Sequence, residues 1–90
     1  MDFEYDENKS NTNKIKHNID FKEAQLLFNN KHALVIPANI IDNEERYALI
    51  SKLNNKCYVA IFIVRENKYR IISVRRCRKN EERNYESNNN

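Results

Sequence analysis

An unbroken apolar run, Cys57 to Val64, constrains the fold of this 90-residue chain more than any other feature. A run that is apolar on both faces predicts a central strand, Cys57–Arg65, covered on both sides over part of its length. After a turn at Glu66–Lys68, the segment Tyr69–Cys77 predicts the next strand. No apolar run approaches the roughly 20 residues of a membrane span, so the chain is expected to be globular.

Arginines bracket these two predicted strands: Arg65, Arg70, Arg75, Arg76 and Arg78. A guanidinium stays charged and presents a planar fork of donors, so arginines held by rigid strands form an oriented anion site. From Lys56 onward the chain has nine Lys/Arg against four Glu, whereas residues 1–55 have seven against nine Asp/Glu. This asymmetry indicates binding to nucleic acid or another polyanion, with a merely solvated face as the alternative.

Two helices are predicted before the sheet. Residues 3–5 alternate as a short first strand or an extended lead-in, and Asp6 then caps a polar helix to about His17. A second helix has the capping-box pair Asp20 and Glu23, followed by the apolar stripe Ala24, Leu27 and Phe28. Asn29–Lys31 ends it.

The remaining segments predict strands and a short last helix. Ala33–Ile36 is a strand closed by Pro37, and 39–43 is a polar connection. Arg46–Leu53 alternates as a strand, and Asn54–Asn55 is typical of a two-residue hairpin turn. Since the chain has no glycine, asparagine is expected to serve its tight turns. Asn80 is predicted to cap the C-terminal helix.

The predicted architecture is therefore α+β, a single domain over residues 1–90. Two N-terminal helices pack on a four- to five-stranded, mainly antiparallel sheet, and a short C-terminal helix follows.

The chain has two cysteines and two histidines, which limits the disulfides and the metal sites that it is able to form. Cys57 and Cys77 are able to form one disulfide, but the polar start of the chain does not resemble a signal peptide, and cytosolic thiols stay reduced. We therefore expect a cytoplasmic protein with two reduced, half-buried cysteines. Without a Cys-x-x-Cys pair, no metal site and no cofactor are expected.

Five sequence elements, in order, resemble the BrnT family of toxins. The family's Phe-Glu-Trp-Asp-x-x-Lys opening is matched by 3–9, with Tyr5 in place of the tryptophan. Its Asn-x-x-Lys-His-Gly-Ile and Phe-x-x-Ala elements are matched by 13–19, with Asn18 in place of the glycine, and by 21–24.

The later elements lie in the predicted strands and the last helix. Glu45-Arg46-Tyr47 with Ile50 resembles Glu-Arg-x-x-x-Ile-Gly, and Ser51 stands in place of the glycine. Val64-Arg65 and the segment 70–75 resemble Thr-x-Arg and Arg-Ile-Ile-Ser-Ala-Arg, and 82–85 matches Glu-Arg-x-x-Tyr. The missing glycines and strand threonine are the departures from the family pattern.

The resemblance implies a RelE-like fold and a type II toxin that cleaves RNA without a metal. It further implies a BrnA-type antitoxin, whose dimer assembles two toxins into a heterotetramer and binds operator DNA. Translating ribosomes are an implied site of action. The expected partners are thus the antitoxin and RNA, with DNA contacted only through the antitoxin and no membrane.

RNA cleavage needs a base for the 2′-hydroxyl, donors for the phosphate and an acid for the leaving oxygen. Our candidate catalytic residues are Arg75, Arg65, Arg70 and His17. Arg75 follows a well-packed strand, although it is also able to pair with Glu45 or Glu82 and lock strand to helix. Arg70 and Arg75 differ by an odd number of residues, so they share a face only if the strand contains a bulge.

Other cations and aromatics are candidates for binding RNA by phosphate contact or base stacking. They are Lys16, Arg46, Tyr47, Arg76, Arg78, Lys79, Arg83 and Tyr85. His17 is alternatively a capping residue at its helix end, and the tyrosines are alternatively packing residues. The competing function is a non-catalytic protein that binds RNA or an antitoxin.

Overall fold

A computed structural model describes residues 2–89 of the chain. Its five strands are β1 (Asp2–Glu4), β2 (Leu34–Ile41), β3 (Glu44–Leu53), β4 (Lys56–Arg65) and β5 (Lys68–Arg76). Its α-helices are α1 (Glu7–His17), α2 (Phe21–Ala24) and α3 (Lys79–Asn88), and a 3₁₀ helix, Gln25–Asn29, continues α2. The α+β prediction is confirmed, and the short strand before the helices and the helix after the sheet are both present as predicted.

The sheet has the strand order β1-β5-β4-β3-β2. Strands β2 to β5 pair antiparallel with their chain neighbours, and only β1 pairs in parallel, with β5. Two-residue turns join the antiparallel strands at 42–43, 54–55 and 66–67, and all six turn residues have positive φ. Asparagine occupies four of these positions, Asp42 and Glu66 the others. The hairpin predicted at Asn54–Asn55 is confirmed.

Side-chain caps begin both N-terminal helices as predicted. Asp6 accepts a hydrogen bond from Lys9 N–H, and Asp20 and Glu23 form the reciprocal capping box. The side chain of Asn13 then fixes α1 against the sheet: it donates to Ile19 O at 2.8 Å and accepts from Val74 N–H at 3.2 Å. These two bonds hold α1 against β5 at Val74, in the part of β5 that does not pair with β1.

The sheet buries apolar residues on both faces. On one face, α1, α2 and the 3₁₀ helix lie over the main core, which includes Phe21, Leu27 and Phe62. On the opposite face, Tyr85 of α3 packs with Ile50 and Val59. The prediction of a central strand covered on both sides is confirmed by β4, whose residues contribute to both cores.

Strand β2 is longer than the sequence predicts. We expected it to close at Pro37 and to be followed by a polar connection, but it continues to Ile41. Pairing slips between Pro37 and Ile40, where Ala38 and Asn39 stand opposite the single residue Arg46. Because β2 is an edge strand, Pro37 lies within it at a position where the sheet tolerates a missing N–H.

The second irregularity lies in β5. Ser73 pairs with Ile61 and Ile71 pairs with Phe62, so Ile72 is one extra residue on β5. A bulge of this kind shifts the alternation of side chains by one. Arg70, Ser73 and Arg75 therefore share a face of the sheet, the condition that the sequence set for Arg70 and Arg75 to act together.

Two predictions near the C-terminus were wrong. The residue that caps α3 is Arg78, whose N–H donates to Glu81, and Asn80 lies within the helix. Cys57 and Cys77 form a disulfide, so they are not free thiols in this structure. The bond joins the start of β4 to the residue that follows β5, where Cys77 N–H also donates to Cys57 O at 2.9 Å.

Candidate functional site

Four arginines lie on the face of the sheet opposite α1 and α2, which we call the arginine face. On β4, Arg65 is two residues beyond Ile63, so both side chains lie on this face. On β5, Arg70 pairs with Ile63 and Arg75 pairs with Val59, which puts both arginines on the same face. Arg46 alternates with Ala48 and Ile50 on β3, whose partners Ile61 and Val59 belong to the same face. The bulge at Ile72 thus puts Arg70 and Arg75 on the same face of the sheet as Arg65 and Arg46.

Arg75 is the most constrained of the four. Its Nη1 and Nη2 donate to the two carboxylate oxygens of Glu81 at 2.8 and 2.7 Å, and Nη1 also donates to Arg76 O at 3.1 Å. The hydrogen bonds that Arg75 donates to the Glu81 carboxylate raise the pKa of Arg75. The sequence suggests Glu45 or Glu82 as the acidic partner of Arg75, but the partner is Glu81, and the pair locks the strand to the helix.

Arg65 and Arg70 are held less tightly. Nη2 of Arg65 donates to both carboxylate oxygens of Glu44, at 3.2 and 3.0 Å, in an exposed pair. The side chain of Arg70 is 30% exposed, and among residues 2–89 it has one contact with a carboxylate, 3.9 Å from its Nη1 to Glu4 Oε2. That distance exceeds hydrogen-bonding range, so the donor fork of Arg70 remains able to bind an incoming anion.

A cleft of about 330 Å³ between α1 and β5, the α1–β5 cleft, contains the other predicted catalytic group. His17 and Lys16 line it together with Lys9, Thr12 and Ser73. Ser73 lines this cleft and, by its pairing with Ile61, belongs to the arginine face. The cleft therefore adjoins the arginine face at the bulged edge of β5.

The other candidate RNA-binding residues are dispersed. Arg76 lies on the opposite face of the sheet, its guanidinium 5.6 Å from the ring centre of Tyr58. Tyr47 donates its hydroxyl proton to Glu45 at 2.6 Å, and this bond raises the pKa of Tyr47. Tyr85 is only 6% exposed, and its hydroxyl accepts from Asn30, so its ring is a packing group. The cations Arg78, Lys79 and Arg83 are exposed at the start of α3 and along it.

Lys9, Thr12 and Ser73 also line the α1–β5 cleft, and sequence reasoning did not select them as candidates. The spacing of Lys9, Thr12 and Lys16 was the signal that could have found the first two, because residues three and seven positions apart lie on one side of a helix. Ser73 had no such signal, since its place beside the cleft depends on the bulge.

Residues 2–89 contain neither a cluster of metal ligands nor a helix that could span a membrane. There the side chains of His, Cys, Asp and Glu form no group of three or more that could hold a metal ion. Within the same residues, no helix has the length and apolar character needed to cross a membrane.

Comparison with known proteins identifies the family. The model of a ribonuclease toxin family, BrnT, of type II toxin-antitoxin systems matches residues 5–81. The chain belongs to the BrnT family. The match spans α1, the whole antiparallel part of the sheet and the first turn of α3, and so includes the arginine face and the α1–β5 cleft.

BrnT membership confirms the resemblance drawn from the sequence elements. It makes this chain a toxin of a type II toxin-antitoxin system, which implies an antitoxin as its partner, and it supports ribonuclease activity in general. No curated protein matches the chain.

Proposed function

We propose that this BrnT toxin is an endoribonuclease that cuts mRNA in the cytoplasm, with the arginine face binding the scissile phosphate. The observation that carries the proposal is the bulge at Ile72, which places Arg70, Ser73 and Arg75 on one face beside a cleft that contains His17. Bulges are common next to active sites, where they re-aim a side chain. The RelE-like character implied by the family resemblance belongs to the same proposal.

Arg70 is the donor that stabilises the phosphate. Attack by the 2′-hydroxyl adds negative charge to the phosphoryl oxygens, and a preorganised cationic donor favours that state over the ground state. Arg70 is held on β5 between its partners Glu4 of β1 and Ile63 of β4, and the carboxylate of Glu4 lies 3.9 Å away. Arg65 on β4 and Arg46 on β3 extend the positive surface from Arg70 toward β2. Arg75 positions the end of β5 through its bonds to Glu81.

His17 handles the proton. It is exposed in the last turn of α1, in the cleft that shares Ser73 with the arginine face. An imidazole both accepts and donates protons near neutral pH, so His17 serves as the base for the 2′-hydroxyl or the acid for the leaving oxygen. Lys16 and Lys9, in the same cleft, bind the neighbouring phosphates. The product is expected to carry a 2′,3′-cyclic phosphate or a 3′-phosphate.

A BrnA-type antitoxin neutralises the toxin in this proposal. Its dimer holds two toxins in a heterotetramer and contacts operator DNA, so the toxin itself does not bind DNA. The ribosome is the proposed place of mRNA cleavage.

The experiment is cleavage of a labelled single-stranded RNA by the purified protein with EDTA present. We expect Arg70→Ala to lower the cleavage rate by about 10²-fold, the usual effect of removing one donor to a developing oxyanion. Lys31→Ala is the matched control, because Lys31 is an exposed cation that lines neither the arginine face nor the α1–β5 cleft. It should cleave like the wild type.

The competing function, a degenerate toxin that binds RNA or antitoxin without cutting, gives a different result. The wild-type protein would then retain RNA in a binding assay and release no product, with and without EDTA. Equal cleavage by the wild type and Arg70→Ala would place the catalytic site elsewhere on the molecule.

A further inference from the structure

Strand β2 is an exposed edge without any charged residue. The eight residues Leu34–Ile41 contain no Asp, Glu, Lys or Arg, and all but Leu34 are exposed. It forms one end of the five-stranded sheet, so its outer backbone groups face away from β3. Natural edge strands usually carry charges that discourage pairing with another chain. This edge has only Pro37 and a bulge as protection.

The bulge in β2 opens an apolar cleft beside the edge, the β2 cleft. It has a volume of about 560 Å³ and is lined by Pro37 to Ile40 of β2 and by Glu45, Arg46 and Tyr47 of β3. Ile40, at 68% exposed, is among the most exposed large apolar side chains of residues 2–89. A cleft of this size with an apolar lining is large enough to receive side chains of an added peptide strand.

Arg46 connects this cleft to the arginine face. Its side chain belongs to both surfaces, and its buried Nε has no hydrogen-bond partner among residues 2–89. Glu45, the acid in the same cleft, already accepts the hydroxyl proton of Tyr47 at 2.6 Å. A buried cationic donor without an acceptor is costly, so Arg46 favours an occupant that brings a carboxylate.

We propose that the β2 edge and the β2 cleft are the docking site of the antitoxin. The bound part is an extended, mainly apolar segment that adds a strand to β2, places an apolar side chain beside Ile40 and pairs a carboxylate with Arg46. Strand addition to an exposed sheet edge is a common form of peptide recognition. A second copy of this chain fits less well, because two copies meeting at the β2 cleft bring two Arg46 guanidinium groups together.

This docking mode would explain how the antitoxin inhibits the toxin, and that explanation rests on the proposed function of the arginine face. A carboxylate bound to Arg46 removes one cation from the arginine face, and the segment itself lies beside that face. The antitoxin then inhibits the toxin without entering the α1–β5 cleft. The antitoxin therefore approaches the arginine face from the β2 edge.

The probe is the protein encoded immediately downstream of the toxin gene, titrated against the full-length toxin by calorimetry. Ile40→Lys places a charge on the edge and is expected to weaken the complex at least tenfold. Leu26→Lys is the matched control: Leu26 is 55% exposed, lies near Phe3 at the opposite edge of the sheet, and should leave the affinity unchanged. Arg46→Gln should also weaken the complex, by about tenfold.

The same Ile40→Lys protein should cut RNA at the wild-type rate but resist inhibition by the downstream protein. If wild-type toxin cuts no RNA and the complex is still lost in Ile40→Lys, the docking site stands and the catalytic proposal falls. Equal affinity of the wild type and Ile40→Lys overturns the docking site. The docking site is also overturned if the wild-type toxin forms no complex with the downstream protein. Self-association of the toxin through β2, measured by sedimentation, would be one such result.

Discussion

Arg75 and Glu81 form a two-pronged ion pair, with bonds of 2.8 and 2.7 Å, between the end of β5 and the first turn of α3. Arg78 N–H donates a further bond of 2.7 Å to the same carboxylate. The hydrogen bonds from Arg75, together with that from Arg78, lower the pKa of Glu81 from 4.5 to about 2. The pair therefore contributes to folding as well as to the shape of the arginine face.

Acid should weaken the fold through Glu81. Because the pKa of Glu81 is lower in the folded chain, the pair stabilises the protein fully above 4.5, and this stability is lost as the pH falls toward about 2. Between those values we expect the wild type to lose ~1–2 kcal/mol more than Glu81→Gln, after allowance for solvent screening. Urea unfolding followed by circular dichroism measures the difference. Parallel pH curves for the two proteins would contradict the assignment.

Arg75→Ala should destabilise the protein, in contrast to Arg70→Ala. Removal of Arg75 leaves the half-buried carboxylate of Glu81 without its main partner, which costs about 2 kcal/mol. Arg70 has only a long contact with Glu4, so its removal should change the unfolding free energy by less than about 0.5 kcal/mol. Urea unfolding of both variants tests this contrast. A stable Arg75→Ala that has lost cleavage would instead make Arg75 a catalytic donor.

Asn13→Ala should loosen α1 from the edge of β5. The substitution removes the bonds to Ile19 O and Val74 N–H inside the fold, at an expected cost of about 2 kcal/mol. Hydrogen exchange at the Val74 amide should become faster, since that N–H loses its acceptor. Asn11→Ala, at an exposed position of the same helix, is the control. Unchanged exchange at Val74 would rule out the bridging role.

Glu66→Gly should stabilise the protein. Glu66 has a φ of 52°, in the left-handed region where a β-carbon is disfavoured by roughly 1 kcal/mol. Glycine removes that penalty, whereas Glu66→Ala keeps it and serves as the control. We expect the glycine variant to be more stable than the alanine variant by about 1 kcal/mol in chemical unfolding. Equal stabilities would show that the turn carries no strain at Glu66.

The sequence predicted elements whose signals are local. Asp20 and Glu23 define a helix start by their spacing alone, and Asn54–Asn55 defines a turn by residue type. Pro37 was misleading because the rule that excludes proline from strands is relaxed at an edge, and the sequence does not say which strand is the edge. The cap of α3 was misplaced because Glu81 acts from within the helix on Arg78 N–H.

The candidate site was predictable in composition but not in geometry. Residue types and the family resemblance pointed to Arg65, Arg70 and Arg75, yet their common face depends on the extra residue at Ile72. No residue type announces that bulge, because Ile72 is an ordinary strand residue. The partner of Arg75 was equally hidden, since the approach of α3 to β5 is set by packing of Tyr85 against the sheet.

The three two-residue turns have a kinetic consequence. Strands β2 to β5 each pair with the next strand along the chain, so little loop entropy opposes their closure, and we expect this meander to assemble early and rapidly. Strand β1 is different, because Asp2–Glu4 pairs with Lys68–Arg70 near the other end of the chain. Its docking, which brings Glu4 to Arg70, should be among the last steps of folding.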